Sequence, residues 1–566
     1  MNKPLKSRVW ISNGCNYHFP ELELDEVSSK PSIGVCFSGG GTRAMSAAMG
    51  QLRALNHLEV IPHVRYISSV SGGSWASVIY TYYRAGAKND EELLGPMTPP
   101  EEITDAHLQQ SLTPSRLAYN ATTWLLGIIT SWEFSLDFAY TSHDVWNYAV
   151  GQTYLESFGL FNTHTAAQSP KDLPYFSYDA QVVAEIRDCN PFLANHEFLI
   201  TRAGRPFLIV NSCVLLPADN PKQEDLINFE YTPLTVGRPF LTRSSTNQRN
   251  YGGGFIEPFA YRGHAPAIQP DPGECSPDHG CQSPSRILGS AGWVKVPDQD
   301  RPFSLTESTG TSSSAFAEEA ISEFDISRFN PQDFYWAVNS KGPYTGAETL
   351  FGDGGLLENN GIIPLIQRGI QLAIVFINTE TKLDLTYTPT DNPQDLANDP
   401  NGRCDVYLPA LFGYSNPNWP FYYPNNQVFP AKDFALVLDQ LKGRKRSGEP
   451  LIVNSQHQVV ENTHWGVSAR RDPMWVTWCY LDRVAEWENQ LCAPIQAAIQ
   501  QGNPSSGTAP TGPYKHFPNY KTINQNSFDL VALTREQIVL LADLTSASIL
   551  LDDQQTIQQA MQQVPG

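Results

Sequence analysis

Long hydrophobic runs are missing from this chain of 566 residues. No apolar stretch reaches the roughly 18 to 20 residues that a membrane-crossing helix needs. The nearest approach, Trp124 to Ile129 within ATTWLLGIITSW, stops far short. The opening residues, MNKPLKSRVWISNGCNYHF, lack the apolar core of a secretory signal. Positive charge is also scarce: 38 Lys and Arg stand against 58 Asp and Glu, a formal charge of −20. Such a field repels nucleic-acid phosphates and anionic bilayers at long range, so nucleic acid is not expected as a partner. A meeting with a membrane would rest on apolar contact or a local basic residue. The nine cysteines (15, 36, 189, 213, 275, 281, 404, 479 and 492) are odd in number and scattered. They read as incidental thiols rather than a disulfide framework. One glycosylation sequon, at Asn120, is slender support for secretion. The expected location is the cytoplasm, in solution or peripheral to a membrane.

Metal motifs are absent in the same way. There is no HExxH and no EF-hand loop, and the C-x3-H-x-C cluster of Cys275, His279 and Cys281 has only Asp278 nearby as a fourth ligand. Structural zinc wants four firm ligands, so free thiols or a loop disulfide are preferred and no metal is expected. No repeat of fixed period occurs.

What remains is a globular composition, 41% apolar and 17% charged, with 11% aromatics. Length alone suggests roughly three or four domains, but large α/β enzymes often carry insertions within one catalytic unit. A core of this size needs no disulfides or metals.

Local pattern is clearest between residues 32 and 84. SIGVCF reads as a strand, followed by Ser38-Gly39-Gly40-Gly41 and a helical run, TRAMSAAMGQLRALNHL. Val64 to Val70 reads as a second strand and Gly72 to Arg84 as a second helix. Strands joined through a helix lie parallel with a right-handed crossover. From 85 to 205 the pattern loosens, and an inserted cap is expected, with an acidic, proline-rich loop at Asp90 to Asp105 and an aromatic, helical stretch over 115–160. Further strands are predicted at Phe207 to Leu216, Ile227 to Tyr231, Leu372 to Asn378 and Met474 to Tyr480, and a helix at Leu481 to Leu491. Residues 265–310 read as surface loops, 501–513 as a linker, and 514–566 as a helical extension packed on a catalytic unit of residues 30–500.

Three pieces carry chemistry. In Ser38-Gly39-Gly40-Gly41-Thr42-Arg43-Ala44, glycines bring bare amides to the N-terminus of a helix, where they suit a phosphate or the oxyanion of an acyl-transfer intermediate. The loop matches neither the phosphate-binding loop with Lys-Ser/Thr nor the spaced dinucleotide fingerprint. In Ser69-Val70-Ser71-Gly72-Gly73-Ser74-Trp75, small neighbours let Ser71 project from a strand-to-helix turn, although Ser69 stands where a nucleophile elbow has glycine. One helix and one strand separate the two turns, so both face one crevice at the carboxyl ends of neighbouring strands. In Phe351-Gly352-Asp353-Gly354-Gly355, the aspartate is either a turn former or a base able to take the proton of Ser71.

Together, these motifs resemble the patatin-like and cytosolic phospholipase A superfamily, and the S-G-G-S-W wording resembles its cytosolic phospholipase A and lysophospholipase B branch. Residues 207–214, 228–237 and 311–316 carry further similarity. The resemblance implies a three-layer α/β/α fold with a central, mostly parallel sheet and an inserted cap. It implies a Ser–Asp dyad without histidine: Ser71 as nucleophile, Asp353 as base, the amides of Gly40 and Gly41 as oxyanion hole, and Arg43 on a substrate phosphate or developing negative charge. The implied reaction is hydrolysis of a fatty acyl ester of a phospholipid or lysophospholipid, at a membrane or micelle surface, with no cofactor and no catalytic calcium.

Two other readings compete. An α/β-hydrolase with a Ser-Asp-His triad finds His457 and His464 after Asp353 in the required chain order. A lipid-binding pseudoenzyme of the same fold would use aromatic clusters such as Trp124 to Trp132 and Trp419 to Tyr423 as an entrance for acyl chains, although packing is the preferred reading of both clusters.

Overall fold

The computed structural model describes residues 4–12, 17–83, 90–109, 142–215, 226–244, 248–262, 269–271, 291–297, 301–315, 330–338, 346–504, 508–521, 533–552 and 555–564. The sequon at Asn120, the Trp124 to Trp132 cluster and the Cys275 to Cys281 cluster lie outside these residues.

Among the described residues, fourteen strands form one mixed sheet. In chain order they are β1 (Leu5–Ile11), β2 (Ile33–Phe37), β3 (Tyr66–Val70), β4 (Phe207–Val214), β5 (Ile227–Tyr231), β6 (Val236–Arg238), β7 (Gly254–Ile256), β8 (Gln269–Asp271), β9 (Ala291–Val296), β10 (Gln332–Tyr335), β11 (Ala347–Asp353), β12 (Leu372–Ile377), β13 (Ile452–His457) and β14 (Met474–Tyr480). The centre is parallel, in the order β4-β3-β2-β12-β14. Every residue of β2, β3 and β12 is buried, as expected for parallel strands covered on both faces. Outside this centre the sheet continues antiparallel, through β5, β6, β7, β1, β9 and β8 on one side and β13 on the other.

The order of connection sets the layers. From β2 the chain crosses to β3 through α1 (Gly41–His57), and from β3 toward β4 through α2 (Gly72–Tyr82), stepping one way along the sheet. From β12 to β14 it steps the opposite way, with α6 (Lys432–Ser447) in the crossover. Right-handed crossovers in opposite directions put helices on opposite faces, which gives the three-layer α/β/α arrangement. The direction changes between β2 and β12, the position at which such sheets open a crevice beyond their carboxyl ends.

Other elements brace this frame. Between β3 and β4, α3 (Val145–Val150) sends the Trp146 indole N–H to the Gly310 carbonyl at 2.9 Å, and Tyr154 stacks on Trp75 of α2 at 4.1 Å. A further helix there, α4 (Ala180–Cys189), is capped by the Asp179 carboxylate, which accepts from the Val182 amide at 2.7 Å. Within the stretch read as surface loops, β9 joins the sheet and α5 (Leu305–Thr311) is a buried helix. It starts with a Ser304–Glu307 capping box and is held by the buried Arg301 pairing with Glu307 and Asp144. The expected terminal helices are α7 (Arg535–Leu550) and α8 (Thr556–Met561). Hydroxyls of Thr545 and Ser546 on α7 donate to the Ala47 and Gly50 carbonyls of α1 at 3.0 and 2.8 Å, and Arg53 pairs with Asp543 at 2.8 Å.

Candidate active site

The site sits where β3 and β11 meet. β4 gives one edge to β5, and its other edge is shared. Along that shared edge β3 pairs in parallel as far as Val70 opposite Asn211, and β11 pairs antiparallel from Asp353 opposite Ser212. Two strands therefore run tip to tip along a third and end on its consecutive residues. Ser71 leaves one tip and Asp353 closes the other. The Ser71 Oγ donates to Asp353 Oδ2 at 2.9 Å, across 282 residues of sequence.

Ser71 has φ +51° and ψ −122°, a conformation that a residue with a Cβ adopts only under local strain. It caps α2, so its hydroxyl stands at the positive end of a helix of 11 residues. The turn closes because Gly72 presses on the glycine loop: a Cβ at Gly72 would lie 2.7 Å from the Gly41 nitrogen and 2.1 Å from its oxygen. Ser69 is accommodated within β3, fully buried, with its hydroxyl toward the Ile209 carbonyl at 3.5 Å. The elbow is thus formed with serine where glycine is usual.

Asp353 is buried and its carboxylate is well held. Oδ1 accepts from the Gly355 amide at 2.7 Å, and Oδ2 accepts from the Ala315 amide at 3.3 Å as well as from Ser71. Burial pushes its pKa up to about 6, against the lowering effect of these three donors. A carboxylate raised toward neutrality and bonded to a strained hydroxyl is suited to take that hydroxyl's proton. The two histidines of the triad reading have other hydrogen-bond partners. His457 lies between the Asp433 carboxylate and the Ser455 hydroxyl at 3.1 and 2.7 Å, and His464 bonds the Leu226 carbonyl at 3.1 Å.

The glycine loop follows β2. Gly40 has φ +133°, where a side chain would be strained and would also meet the Arg43 guanidinium at 2.3 Å. Gly41 begins α1. Arg43 is buried beneath this loop. Its Nε donates to the Asn378 carbonyl at 2.9 Å, another nitrogen donates to the Tyr520 carbonyl, and Glu380 lies 3.6 Å away. Burial lowers its pKa, and the nearby Glu380 and Asp405 act against that.

Sequence reading gave no role to Ser312, yet it joins both halves of the pair. Its carbonyl accepts from the Ser71 and Gly354 amides at 3.1 and 3.4 Å. Its hydroxyl donates to the Asn211 carbonyl at 2.6 Å and also meets the Ser71 amide at 3.1 Å and the Ser74 hydroxyl at 3.0 Å. The signal was the buried serine run after α5. Ser312→Ala is expected to cost about 1–3 kcal/mol by leaving partners unpaired. It is also expected to slow any reaction at Ser71 roughly 10-fold or more by loosening the 71–353 geometry. Thermal unfolding and the rate of covalent labelling at Ser71 check both.

Of the aromatic cluster at 419–423, Trp419 and Tyr423 are buried, with Tyr423 packed on the Tyr407 ring at 4.7 Å, whereas Phe421 is exposed. Among the described residues, six cysteines are free, no three His, Cys, Asp or Glu side chains are arranged to hold a metal ion, and no helix is long and apolar enough to cross a membrane.

No protein-family model matches the chain. Mouse cytosolic phospholipase A2 zeta is 37% identical over 98 residues, which are 17% of this chain and 11% of that protein. Lysophospholipase 2 of Candida albicans is 46% identical over 57 residues, 9% of each chain. The matched segments thus span about a tenth of the length of these relatives. The solved structure of human GIVD cytosolic phospholipase A2 aligns over 95% of this chain and 60% of its own, with a TM-score of 0.43 and 14% identity. Within the matched segments the chain is similar to these cytosolic phospholipase A2 and lysophospholipase proteins.

Proposed function

We propose that this chain is a lipid acyl hydrolase, a phospholipase A or lysophospholipase, working through an acyl-serine intermediate. The observation that carries the reading is the 2.9 Å bond between a strained, helix-capping Ser71 and a buried Asp353. In this mechanism Asp353 takes the hydroxyl proton as Ser71 Oγ attacks the ester carbonyl. The carbonyl oxygen becomes an oxyanion facing the amides of Gly40 and Gly41. Collapse expels the alcohol of the lipid, which receives the proton from Asp353. Water, deprotonated by the same carboxylate, then releases the fatty acid and restores Ser71. The chain works in the cytoplasm, at a membrane or micelle surface reached through apolar contacts such as the exposed Phe421, since a net charge of −20 gives no attraction to anionic lipid.

Arg43 serves the developing negative charge from beneath the loop, through Gly40 and Gly41, in support of which its guanidinium already bonds two carbonyls. Lysine keeps the charge but cannot span both carbonyls. Arg43→Lys is therefore expected to lower kcat about 10- to 100-fold with little change in KM. A raised KM for phosphate-bearing lipids alone would instead indicate direct contact with the head group.

The reading as a whole is tested by treating the protein with a fluorophosphonate, mapping the adduct by peptide mass spectrometry, and measuring fatty acid release from phospholipid and lysophospholipid micelles. An adduct on Ser71 together with acyl release supports it. A folded protein showing neither refutes it.

A further inference from the structure

Six residues beyond Asp353, in the run Glu358-Asn359-Asn360, stands a side chain to which sequence reading gave no role. The Asn359 side chain is half-buried, and its Oδ1 accepts from the Gly39 amide at 3.1 Å. The Asn359 main-chain carbonyl accepts from the same amide at 3.1 Å. Because Gly39 presents a donor, the carboxamide must turn its oxygen to it. The first amide of the glycine loop is therefore engaged by Asn359.

The same oxygen is wedged among all the parts of the site. It lies 2.2 Å from where a Cβ on Gly39 would stand, and that Cβ would also be 2.9 Å from the Ser71 Cβ. It lies 2.7 Å from where a Cβ on Gly355 would stand, with Asp353 Oδ1 at 3.0 Å from that point. One carboxamide thus touches the glycine loop beside the nucleophile and the turn that holds the base. Its own loop is stiff: Glu358 folds back to accept from the Asn360 amide at 2.6 Å, and Asn426 donates to the Leu357 carbonyl at 2.6 Å.

We propose that Asn359 is a positioning residue that ties the glycine loop to the Asp353 turn and so sets the Gly40 and Gly41 amides relative to Ser71. This rests on the acyl hydrolase reading. Preorganised donors are worth most when they need not move as charge develops, so a slack tether slows acyl transfer more than it weakens binding.

The test compares full-length wild type, Asn359→Ala and Asn359→Asp on a long-chain p-nitrophenyl ester, from pH 5 to 9. Asn359→Ala is expected to lower kcat about 10- to 100-fold with KM within about twofold. Asn359→Asp keeps the acceptor and is expected to restore most of kcat at high pH. Its added carboxylate, across Gly355 from Asp353, should move the acid limb of the profile upward by about one pH unit. Independently of turnover, amide exchange in the peptide spanning residues 38–45 should quicken about fivefold or more in Asn359→Ala and stay near wild type in Asn359→Asp.

Unchanged kcat and unchanged exchange in a folded Asn359→Ala overturn the proposal, as does an Asp variant that matches Ala in exchange. A wild type that is inactive and unlabelled at Ser71 would instead overturn the hydrolase reading, and the exchange comparison would still decide the role of Asn359.

Discussion

Ser71→Ala is expected to abolish fatty acid release, lowering it by about 10⁴-fold or more, and to eliminate the fluorophosphonate adduct. The reason is chemical: the site holds one hydroxyl bonded to Asp353, and alanine removes the atom that would carry the acyl group. The fold should survive, because the strained φ of +51° is imposed by the strand end and helix start on either side. Alanine has a Cβ and inherits that strain, whereas glycine does not. Ser71→Gly should therefore be just as inactive but more stable than Ser71→Ala, by about 1–3 kcal/mol. Micellar lipid hydrolysis and thermal unfolding of the two variants measure each half. Turnover persisting in Ser71→Ala would move the nucleophile elsewhere.

Asp353→Asn should be nearly as damaging, lowering kcat about 10³-fold or more, since an amide cannot accept the proton. In the proposed mechanism Asp353 must be ionised to take the proton. With its pKa at about 6, kcat/KM should hold above neutrality and fall roughly tenfold for each pH unit below 6. Stability runs the other way. The carboxyl sits at about 6 in the folded chain against 3.8 ordinarily, so the folded state binds the proton more tightly. The contribution to stability is complete below 3.8 and is lost as pH rises through about 6, where ionisation costs on the order of 3 kcal/mol. Asp353→Asn should lack that component, and denaturant titrations of both proteins at pH 5 and 8 reveal it. A wild-type rate that is flat from pH 5 to 8 would argue against Asp353 as the base.

Both expectations begin from residues visible in the primary structure. Ser71 and the glycine loop were legible because each punctuates a switch from strand-like to helical pattern. The parallel pairing of β2 and β3 followed from their spacing. Asp353 was legible as a motif, but β11 was not, since ETLFGD lacks a clear alternation and its register on Ser212 is a long-range pairing. β1 escaped notice because Lys6, Ser7 and Arg8 look like solvent-facing residues; Arg8 is in fact buried between Glu185 and Glu257. The helix expected over Leu481 to Leu491 is confined to Ala485–Glu488, because Asp482 is held by the Leu383 amide and Lys445. The partners of Arg43 could not be read at all: they are carbonyls 335 and 477 residues away. The role of Ser312 was hidden for the same reason, since its bonds reach Asn211, Ser71 and Ser74.

The seam along β4 has an evolutionary consequence. A turn remote from it, such as residues 232–235 between β5 and β6, can change length without altering how far hydroxyl and carboxylate stand apart, because the gap is set by register on β4. One residue added within β4 between Asn211 and Ser212 would push the two incoming tips apart by about 3.4 Å, a strand step, and disconnect them. The chain can thus vary widely around its chemistry, and this short stretch of main chain acts as its gauge.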